Sequence, residues 1–198
     1  MGIARLSRFL RDRRAVGAVE FAVVAPVLLV LYVGGSELAV AVTLNRKVQH
    51  AGATVNDLVT QSAALTKGDI DRIFKISAAI LTPYAAAPLR LRVTSVKVSS
   101  AGKAKIECSR VYDKTTKPLQ PLIPGRDYQL PAEFATLPVG SIMMVTESRY
   151  DYVPLGGFGL KTIMAGVTGN DSGLIQMGSM SYLNPRIGNS VACSDWNT

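Results

Sequence analysis

Between Ala18 and Leu44 the only charged side chains are Glu20 and Glu37, and Phe21–Ser36 carries none at all. As a helix rising 1.5 Å per residue, 18–44 is roughly 40 Å long, more than the ~30 Å hydrocarbon core of a bilayer. The spacing therefore predicts a single membrane-spanning helix with one or both glutamates near an interface, because a carboxylate deeper in lipid costs a few kcal/mol. Pro26 removes one backbone donor inside that helix. Arg5, Arg8, Arg11, Arg13 and Arg14 precede the segment, against Arg46 and Lys47 close behind it. That asymmetry places the N-terminus in the cytoplasm and everything after Leu44 on the far side of the membrane. A cleaved secretory signal is the alternative, with an Ala-x-Ala-like site at Ala39-Val40-Ala41, but its apolar core is ordinarily shorter and free of acids.

The formal charge of +8 over 198 residues could suggest a nucleic-acid partner. Beyond residue 17, however, no basic stripe with interleaved aromatics appears, so nucleic acid is not expected. Cys108 and Cys193 lie far apart without C-x-x-C spacing, and His50 is the one histidine; no metal site and no cofactor is expected. On the exported side of a membrane the two cysteines would form one disulfide, worth ~4 kcal/mol in the loop-entropy picture. The other reading is a pair of buried thiols.

Three regions follow: a basic leader at 1–17, a transmembrane helix at 18–44, and a stalk and head at 45–198. Val48, Ala51, Val55, Leu58 and Val59 continue an apolar helical face beyond the membrane, which Gly52 should weaken locally. Thr66 and Asp69 read as a capping arrangement for a second helix, with Ile70, Ile73, Phe74, Ile80 and Leu81 as its buried stripe and Pro83 as its end. From Leu89 the period becomes two. Leu89 to Val98, a turn at 99–103 and Ala104 to Tyr112 read as a hairpin. Ser141–Val153 reads as a third strand with Thr146, Ser148 and Tyr150 or their neighbours outward, and Leu174–Leu183 as a last one. Between them Lys114–Pro138, with five prolines, reads as a long surface loop. The class is α+β: an N-terminal transmembrane helix continuing into a stalk, and a second helix packed on a small, mainly antiparallel sheet.

Catalytic signatures are missing. A Ser-His-Asp triad would need His50, which falls on the stalk, and neither G-x-S-x-G nor H-E-x-x-H occurs. Gly156-Gly157-Phe158-Gly159 follows a strand without a phosphate-binding lysine or helix behind it. Glu133, Glu147 and Asp151 are candidate acid–base carboxylates, but nothing in their spacing brings two together. Glu147, beside tyrosines, reads as a structural acceptor. No enzyme is expected.

The run Arg13-Arg14-Ala15-Val16-Gly17-Ala18-Val19-Glu20-Phe21-Ala22, followed by Val23-Val24-Ala25-Pro26, resembles the start of TadE/TadG-type pseudopilins of tight-adherence (Flp-type) pilus systems. The hairpin around Val93–Val96, Gly102–Ala104 and Cys108–Arg110 is similar to that family's hairpin. Glu147, Tyr150, Tyr152 and Pro154 match its Glu-x-x-Tyr-x-Tyr-x-Pro pattern, and Pro185-Arg186 followed by Cys193 its ending. The resemblance implies a pilin-like, non-enzymatic assembly protein in the bacterial inner membrane. Its implied partners are the pilus machinery, other pilin or pseudopilin subunits and a prepilin peptidase. It further implies a cut after Ala15, leaving Val16 as the mature start and Glu20 at the fifth position, where its carboxylate would pair with the amine of a neighbouring subunit. The family usually has glycine where this chain has Ala15. A cut after Gly17 would put Glu20 third, a poorer match. The plainer reading of Glu20 is a marker of the membrane boundary, and the plainer reading of the whole is a tethered accessory scaffold or a generic single-pass envelope protein.

Overall fold

The computed structural model describes residues 14–116, 118–154, 166, 174–193 and 195–196. Most of the arginine-rich leader and the Gly156–Gly159 stretch lie outside them. Helix α1 spans Arg14–Thr60 without a break and contains Pro26. Internal contacts divide the chain into two units, Met1–Val40 and Ala41–Thr198.

In the first unit, large apolar side chains are exposed on every side of α1. Val19, Phe21, Leu29, Val30 and Tyr32 each keep more than 60% of their surface. A helix that is apolar all round is built for lipid or for other helices. Ser36, which closes the Phe21–Ser36 run, returns its hydroxyl to the Val33 carbonyl at 2.8 Å, so it brings no unsatisfied donor into an apolar setting.

In the second unit the same helix becomes one-sided. Leu44, Val48, Ala51, Val55 and Val59 are buried at spacings of three and four, while Gln49, His50 and Ala53 face solvent. Leu58, expected in the buried stripe, is half-buried. Helix α2, Lys67–Ala79, starts at a capping box: the Thr66 hydroxyl accepts from the Asp69 amide, and the Asp69 carboxylate accepts from the Thr66 amide. Lys47 of α1 reaches its other end and donates to the carbonyls of Ile80 (3.1 Å) and Thr82 (2.8 Å), where a cation complements the helix dipole. Ile70, Phe74 and Leu81 are buried as the stripe requires, while Ile73 and Ile80 are only half covered.

Five strands form one antiparallel sheet in the order β3-β2-β1-β4-β5: β1 Leu89–Ser100, β2 Lys103–Asp113, β3 Asp127–Gln129, β4 Ile142–Tyr152 and β5 Ile175–Leu183. It carries two cores. Leu89, Leu91, Val93, Cys108, Met144, Tyr150 and Met177 join the helices and Trp196 in the larger one. Val96, Val98, Ala104, Ile106, Met143 and Val145 form the second, on the opposite face. In β1 the apolar positions change parity from odd to even midway, matching the change of covered face. In β2 they stay even, and a register shift does the work instead: Cys108 pairs with Ser95 but Ile106 with Val96. The extra residue, Glu107, is the bulge that turns the strand.

Two sequence expectations are corrected. The Lys114–Pro138 segment is not merely a surface loop. It supplies β3 and a 3-10 turn, Ala132–Phe134, and it covers the second core with Leu122, Tyr128, Leu130, Phe134 and Leu137. Nor do Thr146, Ser148 and Tyr150 face outward: they are 1%, 1% and 5% exposed. They lie under the helices, whereas on the opposite face Met143, Val145 and Glu147 are covered and the neighbouring Arg149 is the exposed residue.

Candidate functional site

The sequence-singled residues fall into three separate places. The first is the apolar helix. Ala15 lies within α1, and Val16 and Glu20 are exposed on it. Glu20 makes no ion pair among the described residues. Among the described residues one helix is long and apolar enough to cross a membrane, with a mean hydropathy of 2.3 and none of that window buried.

The second is the C-terminal tail. Cys108 and Cys193 are joined in a disulfide, Cα–Cα 6.3 Å, within the span such bonds ordinarily bridge. Around it the tail lines the corner between α1 and α2. Ala192 donates to the Ala63 carbonyl (2.9 Å) and accepts from the Leu65 amide (3.0 Å), and the Arg186 amide donates to Thr60 (2.8 Å). The Trp196 indole, 2% exposed, donates to the Leu65 carbonyl at 2.8 Å. The Asp195 carboxylate accepts from the Lys67 amide at 2.8 Å, placing a negative charge at the start of α2. Arg186 and Asp57 pair at 2.5 Å.

The third is a charged groove of about 430 Å³ across β4 and β5, lined by Arg90, Glu147, Arg149, Asp151, Gln176 and Met180 among others. Glu147 and Asp151 lie four residues apart on one face of β4, and the sheet register brings the arginines of β1 beside them, setting Arg90 opposite Arg149 and Arg92 opposite Glu147. Glu147 is held by Arg92 and Arg149, and Asp151 by Arg90 at 2.6 Å. Arg92 also donates to the Gln120 carbonyl at 3.1 Å. Both carboxylates are thus committed to guanidinium groups, a structural lattice rather than an acid–base pair. Glu133 sits on the 3-10 turn and is not part of this lining. The alternating arginines of β1 were the signal that sequence reasoning passed over.

Displaced titrations belong to packing. Burial opposes ionisation of Asp113, but hydrogen bonds from the Leu119 amide and from Thr115 outweigh it and hold the carboxyl below its usual range. Burial, aided by Tyr182, pushes the Tyr128 hydroxyl upward. Burial does the same for Tyr150, whose hydroxyl donates to the Ala85 carbonyl at 3.0 Å. Among the described residues no His, Cys, Asp or Glu cluster is arranged to hold a metal.

No curated protein and no solved structure matches the chain. Of these three places, the apolar helix is the one covered by a family match. Residues 15–55 match the family model described as TadE-like protein.

Proposed function

We propose that this protein is a non-enzymatic minor pilin or pseudopilin that helps assemble a tight-adherence (Flp-type) pilus. The carrying observation is that the family match at 15–55 coincides with a helix exposed and apolar on all sides through residue 40. In this reading residues 18–44 store the protein in the bacterial inner membrane, with 1–17 in the cytoplasm and 45–198 as the periplasmic stalk and head. A prepilin peptidase removes the leader after Ala15. Extraction by the pilus machinery then moves the helix from lipid to a bundle of similar helices, an exchange that costs little because lipid tails are as apolar as the side chains. Glu20, freed from its basic neighbours, pairs with the amine of Val16 in an adjacent subunit and fixes register. The arginine-held carboxylates Glu147 and Asp151 hold the head rigid.

An uncut accessory scaffold is the second reading, favoured specifically by alanine at position 15. The test is genetic. In a strain lacking the protein, wild type should restore piliation, whereas Glu20→Gln should insert at normal abundance yet restore far fewer pili. Normal piliation by Glu20→Gln would reduce Glu20 to a boundary residue, and unchanged piliation without the protein would refute the assembly role.

A further inference from the structure

The hydrogen bonds and ion pair of the C-terminal tail named above all run to the corner formed by Asp57–Lys67, whereas its one covalent tie runs to β2 in the sheet. The tail is therefore a strap laid across the helix junction and fastened at Cys108. Away from that fastening its deep anchors are Val191 and Trp196, each 2% exposed. It is otherwise irregular, with a single bridge between Ala64 and Ala192, and ordering an irregular segment is opposed by backbone entropy at every residue. The carbonyls it meets, of Thr60, Ala63 and Leu65, are groups that water satisfies once the strap lifts.

We propose that the Cys108–Cys193 bond is a redox gate on this strap: the tail docks on the α1–α2 corner when the bond is formed and leaves it when the bond is reduced, while the helix–sheet core stays folded. Cys193 is half-buried and Cys108 is 1% exposed, so Cys193 is the more approachable partner of the bond. The thiolate of an external dithiol attacks Cys193 Sγ. The protein S–S bond breaks, and Cys108 leaves as a thiolate and takes a proton. The dithiol's second thiolate then displaces Cys193 from the mixed disulfide, leaving two protein thiols and one oxidised dithiol. Reoxidation by a disulfide donor runs the same exchange backward. Release costs α2 the Asp195 carboxylate at its N-terminus, yet the Thr66–Asp69 capping box and the Lys47 contact at the other end are independent of the tail. The change is accordingly local. Where in the cell the bond closes rests on the topology proposed above; the device itself does not, and its test uses purified protein.

Trp196 is the sole tryptophan, which makes the strap its own reporter. The experiment compares fluorescence emission, acrylamide quenching and far-ultraviolet circular dichroism of the full chain in detergent, oxidised and in excess dithiothreitol, together with Cys193→Ser. The oxidised protein should emit at short wavelength and resist quenching. The reduced protein and Cys193→Ser should emit to the red with a quenching constant several-fold higher and an unchanged dichroism spectrum. Trp196 staying protected without the bond would overturn the gate. So would a red shift that arrives only with loss of helix and sheet, since the bond would then hold the whole head rather than its strap.

Discussion

A methyl group on Gly52 would sit 2.9 Å from both Cβ and Oγ of Ser148. The residue that looked like a weak point in the helix is one where α1 packs tightly against the sheet, and Ser148 cannot retreat because its Cβ is fixed to the strand. Gly52→Ala should therefore destabilise the head by about 1–3 kcal/mol, as overpacked sites do. Gly68→Ala, where the nearest atom is 3.8 Å away, should stabilise by up to about 1 kcal/mol through reduced unfolded-state entropy. Chemical denaturation of the two variants checks the pair. Titration supplies another test. Asp113 and Asp69 have lowered carboxyl values in the folded protein. Their contribution is present above the unfolded value, about 3.9, and fades as pH falls through the folded one. Tyr128 and Tyr150 are raised, so their contribution is full below about pH 10 and is lost as pH climbs toward the folded values. Melting temperature against pH should fall off on both sides, and a flat alkaline limb would contradict the buried phenols. Asn56 was not legible in the sequence at all. It is fully buried and donates to the Ser181 carbonyl at 2.9 Å, closing part of the edge strand as an added strand would.

Helix α2 is the element that reads most directly from sequence, because its start is written in a local motif and its stripe in a local period. The hairpin β1–β2 is nearly as direct, since the parity change in β1 is visible as letters. The 114–138 connection is not, because five prolines mark where a regular element cannot be but say nothing of where Leu122, Leu130 and Phe134 pack. Those contacts are made with strands tens of residues away, and no periodicity announces them. Leu130, 3% exposed, distinguishes the two descriptions. Leu130→Ala should cost about 2–5 kcal/mol as a core truncation, whereas a surface-loop residue would cost almost nothing; a denaturant melt decides. The ambiguity of β4 has the same origin: where both its faces are covered, Met143, Met144 and Val145 are all buried, and alternation disappears.

At the scale of the whole molecule, the apolar helix was legible because it obeys composition alone, and the groove of Arg90, Glu147, Arg149 and Asp151 was not because it depends on register between strands. The proposed topology predicts that a reporter fused at Ala101, an exposed residue of the β1–β2 turn, is active as alkaline phosphatase and dark as a cytoplasmic fluorescent protein. The opposite pattern would place the disulfide in a reducing compartment and remove the anchor orientation with it. Processing separates a pilin-like subunit from a fixed scaffold, since uncut arginines could not leave the cytoplasmic side cheaply. The most direct measurement is the intact mass of the protein extracted from its native membrane. A chain beginning at Val16 is the result this account predicts, and a chain still carrying residues 1–15 would contradict it.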